Sequence, residues 1–124
     1  SGVVTARAKD GVVFTGFEIE TVREGKSIFD SGNALFVDAR SEEFFSQGHI
    51  PGAVSLPVGL FSELILSFEE RCPVDMQIVT YCSGRSCEES HHLAQMLVAF
   101  GFSRVSVFID GFSGWRLEGF PVEP

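Results

Sequence analysis

A chain of 124 residues, 44% hydrophobic and carrying 13 Phe, suits one domain with a packed core and excludes a disordered segment. A net charge of −8 with no block of Lys or Arg makes nucleic acid and anionic membrane surfaces poor partners, and no apolar run approaches the roughly 18 residues of a membrane span. Three cysteines, an odd number, do not make a disulfide framework, so a reducing, cytoplasmic setting is expected. Ser1-Gly2 reads as a remnant of expression, which would make the chain a piece of a larger protein.

Residues 1–16 read as an N-terminal extension. Lys9-Asp10-Gly11 lies between β-prone residues 3–8 and 12–14, a pattern that fits a hairpin and fits a linker equally. Phe17-Glu18-Ile19 reads as a short first strand. A weak helix is expected from Glu20 to Asp30, impaired by Gly25 and stopped at Ser31-Gly32. Ala34-Leu35-Phe36-Val37 is a buried-strand run ending in Asp38-Ala39-Arg40. Ser41 then caps a short helix with Glu42 and Glu43 in its first turn, and Phe44 and Phe45 supply its apolar face.

Gly48-His49-Ile50-Pro51-Gly52 is a loop and residues 53–57 a short strand. Between Gly59 and Glu70, Leu60, Phe61, Leu64, Ile65 and Phe68 recur at helical spacing, and Cys72-Pro73 closes that helix. Gln77-Ile78-Val79-Thr80-Tyr81 is the next strand. A helix follows with Leu93, Met96, Leu97 and Phe100 on one face, ending at Gly101. Residues 105–109 form a last strand, Asp110-Gly111 turns the chain, and a short helix begins at Phe112. Strands alternating with helices through short loops imply a mainly parallel α/β sheet covered on both faces, with ligands at the carboxyl ends of the strands.

Cys82-Ser83-Gly84-Arg85-Ser86-Cys87 stands at such an end, between the 77–81 strand and a helix. Successive amides of a loop that opens a helix form a nest for an anion, and a thiolate is an anion. A free thiol is only about 3% thiolate at pH 7, and this setting commonly lowers its pKa. Gly84 allows a backbone conformation that other residues resist. The loop therefore reads as a cradle for a Cys82 nucleophile.

Three stretches together resemble the rhodanese family of single-domain sulfurtransferases. Val37-Asp38-Ala39-Arg40 with Gly48-His49-Ile50-Pro51-Gly52-Ala53 looks like its amino-terminal signature, and Gly111-Phe112-Ser113-Gly114-Trp115 like its carboxyl-terminal one. CSGRSC between them looks like its six-residue active loop. The resemblance covers residues 17–122. It implies a rhodanese-like three-layer fold, a five-stranded mainly parallel sheet with helices on both faces. It also implies that Cys82 attacks the outer sulfur of a donor such as thiosulfate or a persulfide, becomes a persulfide, and passes that sulfur to cyanide or a thiol. Amides of Ser83, Gly84, Arg85, Ser86 and Cys87 would hold the thiolate, the persulfide and the donor's anionic group. No cofactor or metal is implied, and the partners are a small-molecule or protein sulfur donor and a thiol acceptor.

This loop departs from the family pattern. Active loops often carry two cations, whereas here only Arg85 is charged, and it is expected to bind an anion. Glu88 and Glu89 stabilise the following helix by roughly 0.3–1 kcal/mol each but repel an anion in the loop. Modest thiosulfate affinity is expected, with a persulfide or a protein as the favoured donor. Cys87 reads first as a small apolar residue facing the core, and alternatively as a partner that forms a disulfide with Cys82.

Other candidates read as structural. Asp38 and Arg40 pair at a strand end, His49 is architectural, Trp115 packs the last helix on the core, and Cys72 is inert. His91 and His92 with Cys82 and Cys87 do not have the spacing of a common zinc site. A phosphatase loop would need Arg where Glu88 stands, so that reading is disfavoured. The alternative to an enzyme is a non-turnover sulfur carrier, or a redox-sensing or binding module, that uses Cys82 and Cys87.

Overall fold

The computed structural model describes residues 3–7 and 13–124. In chain order it contains β1 (Val3–Arg7), β2 (Val13–Ile19), α1 (Val22–Ser31), β3 (Ala34–Asp38), α2 (Glu42–Gln47), β4 (Val54–Ser55), α3 (Phe61–Arg71), β5 (Gln77–Tyr81), α4 (Glu89–Phe100), β6 (Arg104–Phe108) and α5 (Gly111–Leu117). The strands form one sheet in the order β1-β2-β6-β5-β3-β4. Five of them are parallel, and β1 joins the edge antiparallel to β2. Strand β2 starts at Val13 rather than Phe17. It runs across residue 16, pairing β1 through residues 13–17 and β6 through residues 17–19. The Lys9-Asp10-Gly11 segment lies outside the described residues.

Alternation along the inner strands decides the layering, because neighbouring side chains point to opposite faces. Val37, Ile78, Val105 and Val107 face α3 and α4, where Phe61, Ile65, Phe68, Leu93 and Leu97 complete one core. Phe36, Val79, Tyr81 and Phe108 face the other way and pack with Phe29 of α1 and Phe112 and Trp115 of α5. Both faces are covered, which is why β5 is buried from Ile78 to Tyr81. Trp115 is the hub of the second core. Its ring meets those of Phe29, Phe36, Phe108 and Phe120, and its indole N–H donates to the Pro121 carbonyl at 2.6 Å.

Two local expectations are corrected. Gly25 does not impair α1: a Cβ there would lie 2.7 Å from the Phe108 ring, so the glycine lets α1 approach the sheet. Phe44 does not face the core. It is 54% exposed, while Phe45 stacks on His49 at 3.7 Å. A six-residue helix has too few turns to bury both phenylalanines. The caps behave as the sequence implies: the Phe44 N–H points to Ser41 Oγ, and Gly32 ends α1 at φ +72°.

Candidate active site

Strand β5 lies between β3 and β6, so its carboxyl end opens between the loops that follow those two strands. The chain direction across the sheet reverses between β3 and β5, the place where open parallel sheets form crevices. The Tyr81 carbonyl accepts from the Ala39 N–H at 2.8 Å, tying the start of the loop to the end of β3. On the other side α5 presses against the loop. Phe112 N–H donates to the Cys82 carbonyl and Ser113 N–H to the Ser83 carbonyl, each at 2.8 Å. This approach requires Gly111, whose φ is +62° and whose Cβ would stand 2.5 Å from the Cys82 oxygen. Residues 111–115 thus hold the Cys82–Cys87 loop by backbone contact.

Within the loop, Cys87 N–H donates to the Gly84 carbonyl at 3.1 Å, closing a tight turn. Among the described residues no acceptor takes the amides of Ser83, Gly84, Arg85 or Ser86. Ser83, Arg85 and Ser86 are exposed, whereas Cys82 is 2% exposed. Cys82 and Cys87 are joined in a disulfide with their Cα atoms 6.2 Å apart. The expectation that Cys87 faces the core is therefore corrected. The turn at Gly84 folds the loop back, so the side chain at its end points across it toward Cys82. Glu89 Oε1 lies 3.7 Å from Cys87 Sγ.

Arg85 leaves the loop. Its Nε donates to Asp110 Oδ1 at 2.7 Å and its Nη2 to the Glu20 carbonyl at 2.9 Å. The cation expected to meet an anion is thus bound to a carboxylate after β6. The open cleft lies on the other side, between α2 and α5. It encloses about 260 Å³ and is lined by Arg40, Gly48, Ser83, Phe112, Ser113 and Arg116, with Phe44 and Gln47 at its edge. Arg40 is held by Asp38 at 2.7 Å and by the Gly48 carbonyl at 2.7 Å, with its guanidinium 4.3 Å from the centre of the Phe112 ring. Among the described residues no carboxylate pairs with Arg116. Sequence reasoning missed this residue. The signal was its place four residues after Phe112 on one helical face.

The residues read as structural have structural partners. Arg40 and Asp38 form a buried pair. His49 Nδ1 contacts the Phe45 carbonyl at 2.9 Å and Nε2 lies 3.4 Å from Glu123. Burial pushes the Cys72 thiol above its ordinary pKa, which keeps it protonated. His91 turns from the loop to Glu18 at 2.6 Å, and among the described residues no Cys/His cluster surrounds Cys82. Cys82, Cys87 and Glu89 bring two sulfurs and a carboxylate oxygen within 4.8 Å of one another, but both sulfurs are in the disulfide. Among the described residues no helix is long and apolar enough to cross a membrane.

Residues 21–118 match the model of the Rhodanese-like domain, and the chain belongs to that family. It is 30% identical over 105 residues to a sulfurtransferase of Allochromatium vinosum, covering 85% of this chain and 92% of that one. It is 31% identical over 94 residues to the HTH-type transcriptional regulator Rv0324 of Mycobacterium tuberculosis, where 76% of this chain spans only 39% of the regulator. Among solved structures, the BH2092 protein of Bacillus halodurans superposes with a TM-score of 0.76 at 29% identity, covering 87% of this chain and 77% of that one.

Proposed function

We propose that the chain is a sulfurtransferase that carries sulfane sulfur on Cys82. The observation behind this reading is a cysteine at the end of the central parallel strand, followed by four amides that no acceptor among the described residues takes. With the disulfide reduced, those amides stabilise a Cys82 thiolate and then its persulfide. The thiolate attacks the outer sulfur of thiosulfate or of a persulfide, the remainder of the donor departs, and the sulfur passes to cyanide or a thiol. Backbone amides at Ser83, Gly84, Arg85 and Ser86 are the binding groups, whereas the Cys87 N–H is taken by the Gly84 carbonyl and closes the turn. Arg116, which no carboxylate pairs among the described residues, gives the neighbouring cleft a positive lining for an anionic donor. No separate general base is needed where those amides hold the nucleophile as a thiolate. Similarity to the Allochromatium sulfurtransferase supports the same reading.

The test is the intact mass of reduced Cys87→Ala protein, in which no second thiol faces Cys82, after exposure to thiosulfate and removal of the excess. One added sulfur atom, released by cyanide and absent from Cys82→Ser, is expected. If neither thiosulfate nor a small-molecule persulfide adds sulfur, the reading falls. The Cys82–Cys87 disulfide favours a second reading, a redox-responsive module without turnover. Similarity to a protein named as a transcriptional regulator supports such a role within a longer chain.

A further inference from the structure

Transfer of sulfur to an external acceptor gives Cys87 no task, yet its sulfur reaches that of Cys82. We infer that Cys87 resolves the Cys82 persulfide, so that the protein releases the carried sulfur as hydrosulfide and retains the Cys82–Cys87 disulfide. This rests on the persulfide reading above. The Cα separation of 6.2 Å lies inside the roughly 4.4–6.8 Å that a disulfide spans, so the loop needs no backbone movement to bring the two sulfurs together.

In the persulfide, Cys82 Sγ is the inner sulfur. Attack there by Cys87 forms the Sγ–Sγ bond and breaks the bond to the outer sulfur. The outer sulfur leaves with that bond's electron pair and takes up the proton of the Cys87 thiol, departing as HS⁻. The sulfane sulfur gains two electrons, and the two cysteines lose two as they become a disulfide. No further oxidant or reductant enters this step.

Glu89 orders the sequence of events. Glu89 Oε1, 3.7 Å from Cys87 Sγ in the disulfide form, is placed to accept the Cys87 thiol hydrogen once the disulfide is reduced, whereas the free loop amides favour the anion at Cys82. Cys82 is therefore the first to attack the donor, and Cys87 still holds the proton that the departing sulfur needs. The disulfide is then opened by an external dithiol reductant. Cys87 is half-buried and Cys82 is 2% exposed, so the reductant's thiolate meets Cys87 Sγ and expels Cys82 as the thiolate that the loop stabilises. The net reaction reduces sulfane sulfur to sulfide at the expense of that dithiol. When thiosulfate is the donor, sulfite is left.

The experiment is a single turnover of reduced, desalted protein with thiosulfate, and separately with a small-molecule persulfide, in the absence of any other thiol. Sulfide is assayed alongside intact mass. The wild type should release one sulfide per chain and end two hydrogens lighter, with no sulfur retained. Cys87→Ser and Cys87→Ala should lose that release and keep one sulfur that cyanide removes, which also shows that their loops are folded. A wild type that keeps a cyanide-labile sulfur and releases no sulfide overturns the inference while leaving sulfur transfer standing. Sulfide release undiminished in Cys87→Ser overturns it equally. Failure of every protein to take sulfur from either donor overturns the persulfide reading, and this inference with it.

Discussion

Gly111→Ala tests whether the last helix shapes the active loop. The new Cβ would stand 2.5 Å from the Cys82 oxygen, 2.9 Å from the Gly84 nitrogen and 3.0 Å from the Ser83 carbonyl carbon. All three are backbone atoms, so no side chain can swing aside. The left-handed conformation alone costs a non-glycine residue roughly 1–2 kcal/mol. Relieving the clash means moving α5 off the loop, which weakens the two 2.8 Å bonds to the Cys82 and Ser83 carbonyls. At roughly 0.5–1.5 kcal/mol each, these add about 1–3 kcal/mol, for a total of about 2–5 kcal/mol. Gly32 is the control: its φ is +72°, but a Cβ there meets nothing within 4 Å. Gly32→Ala should therefore lose only the conformational part, roughly 1–2 kcal/mol. Urea unfolding of the reduced proteins reads both losses, and persulfide formation should slow in Gly111→Ala alone. A loss at Gly111 no larger than at Gly32, with persulfide formation unchanged, would refute the argument.

Three further outcomes are expected. Asp38→Ala strands the guanidinium of Arg40, which is 6% exposed, and should destabilise the protein by about 3–5 kcal/mol in urea unfolding; a loss under about 1 kcal/mol would mean the pair is not what holds Arg40. Arg116→Ala should raise the KM for thiosulfate, read from thiocyanate formation, more than Arg85→Ala does, because Arg85 is bound to Asp110 while Arg116 lines the cleft. Tyr81 governs alkaline stability. Burial first, and then the Asp38 carboxylate, push its phenol above the ordinary 10.0, so the folded state favours the neutral form. Its contribution is complete below pH 10.0 and is lost as pH rises toward the higher folded value. Tyr81→Phe should flatten that alkaline loss in urea midpoints measured against pH. It should also lower neutral stability by about 1–3 kcal/mol, because the Ile50 N–H loses its acceptor.

Much of this molecule is dictated locally. The runs that became β3, β5 and β6 are short, apolar and bounded by turn residues, and such signals act within a few positions. The Ser41 cap and the Gly32 stop are equally local, and so is the placement of Cys82 at a strand end before a helix. What tertiary structure decided are the partners of side chains that reach across elements. Gly25 weakens a helix considered alone, yet only glycine admits the Phe108 ring from the sheet below. Phe44 and Phe45 look alike in sequence, and only the packing of α2 leaves the first in solvent and stacks the second on His49. Arg85 meets Asp110 from 25 positions away because β5 and β6 are neighbours in register. Cys87 turns to Cys82 because the backbone bends at Gly84. Spacing along the chain marks Cys82 as the candidate nucleophile, but the distance between two sulfurs depends on how the loop is folded and on the helix that presses against it.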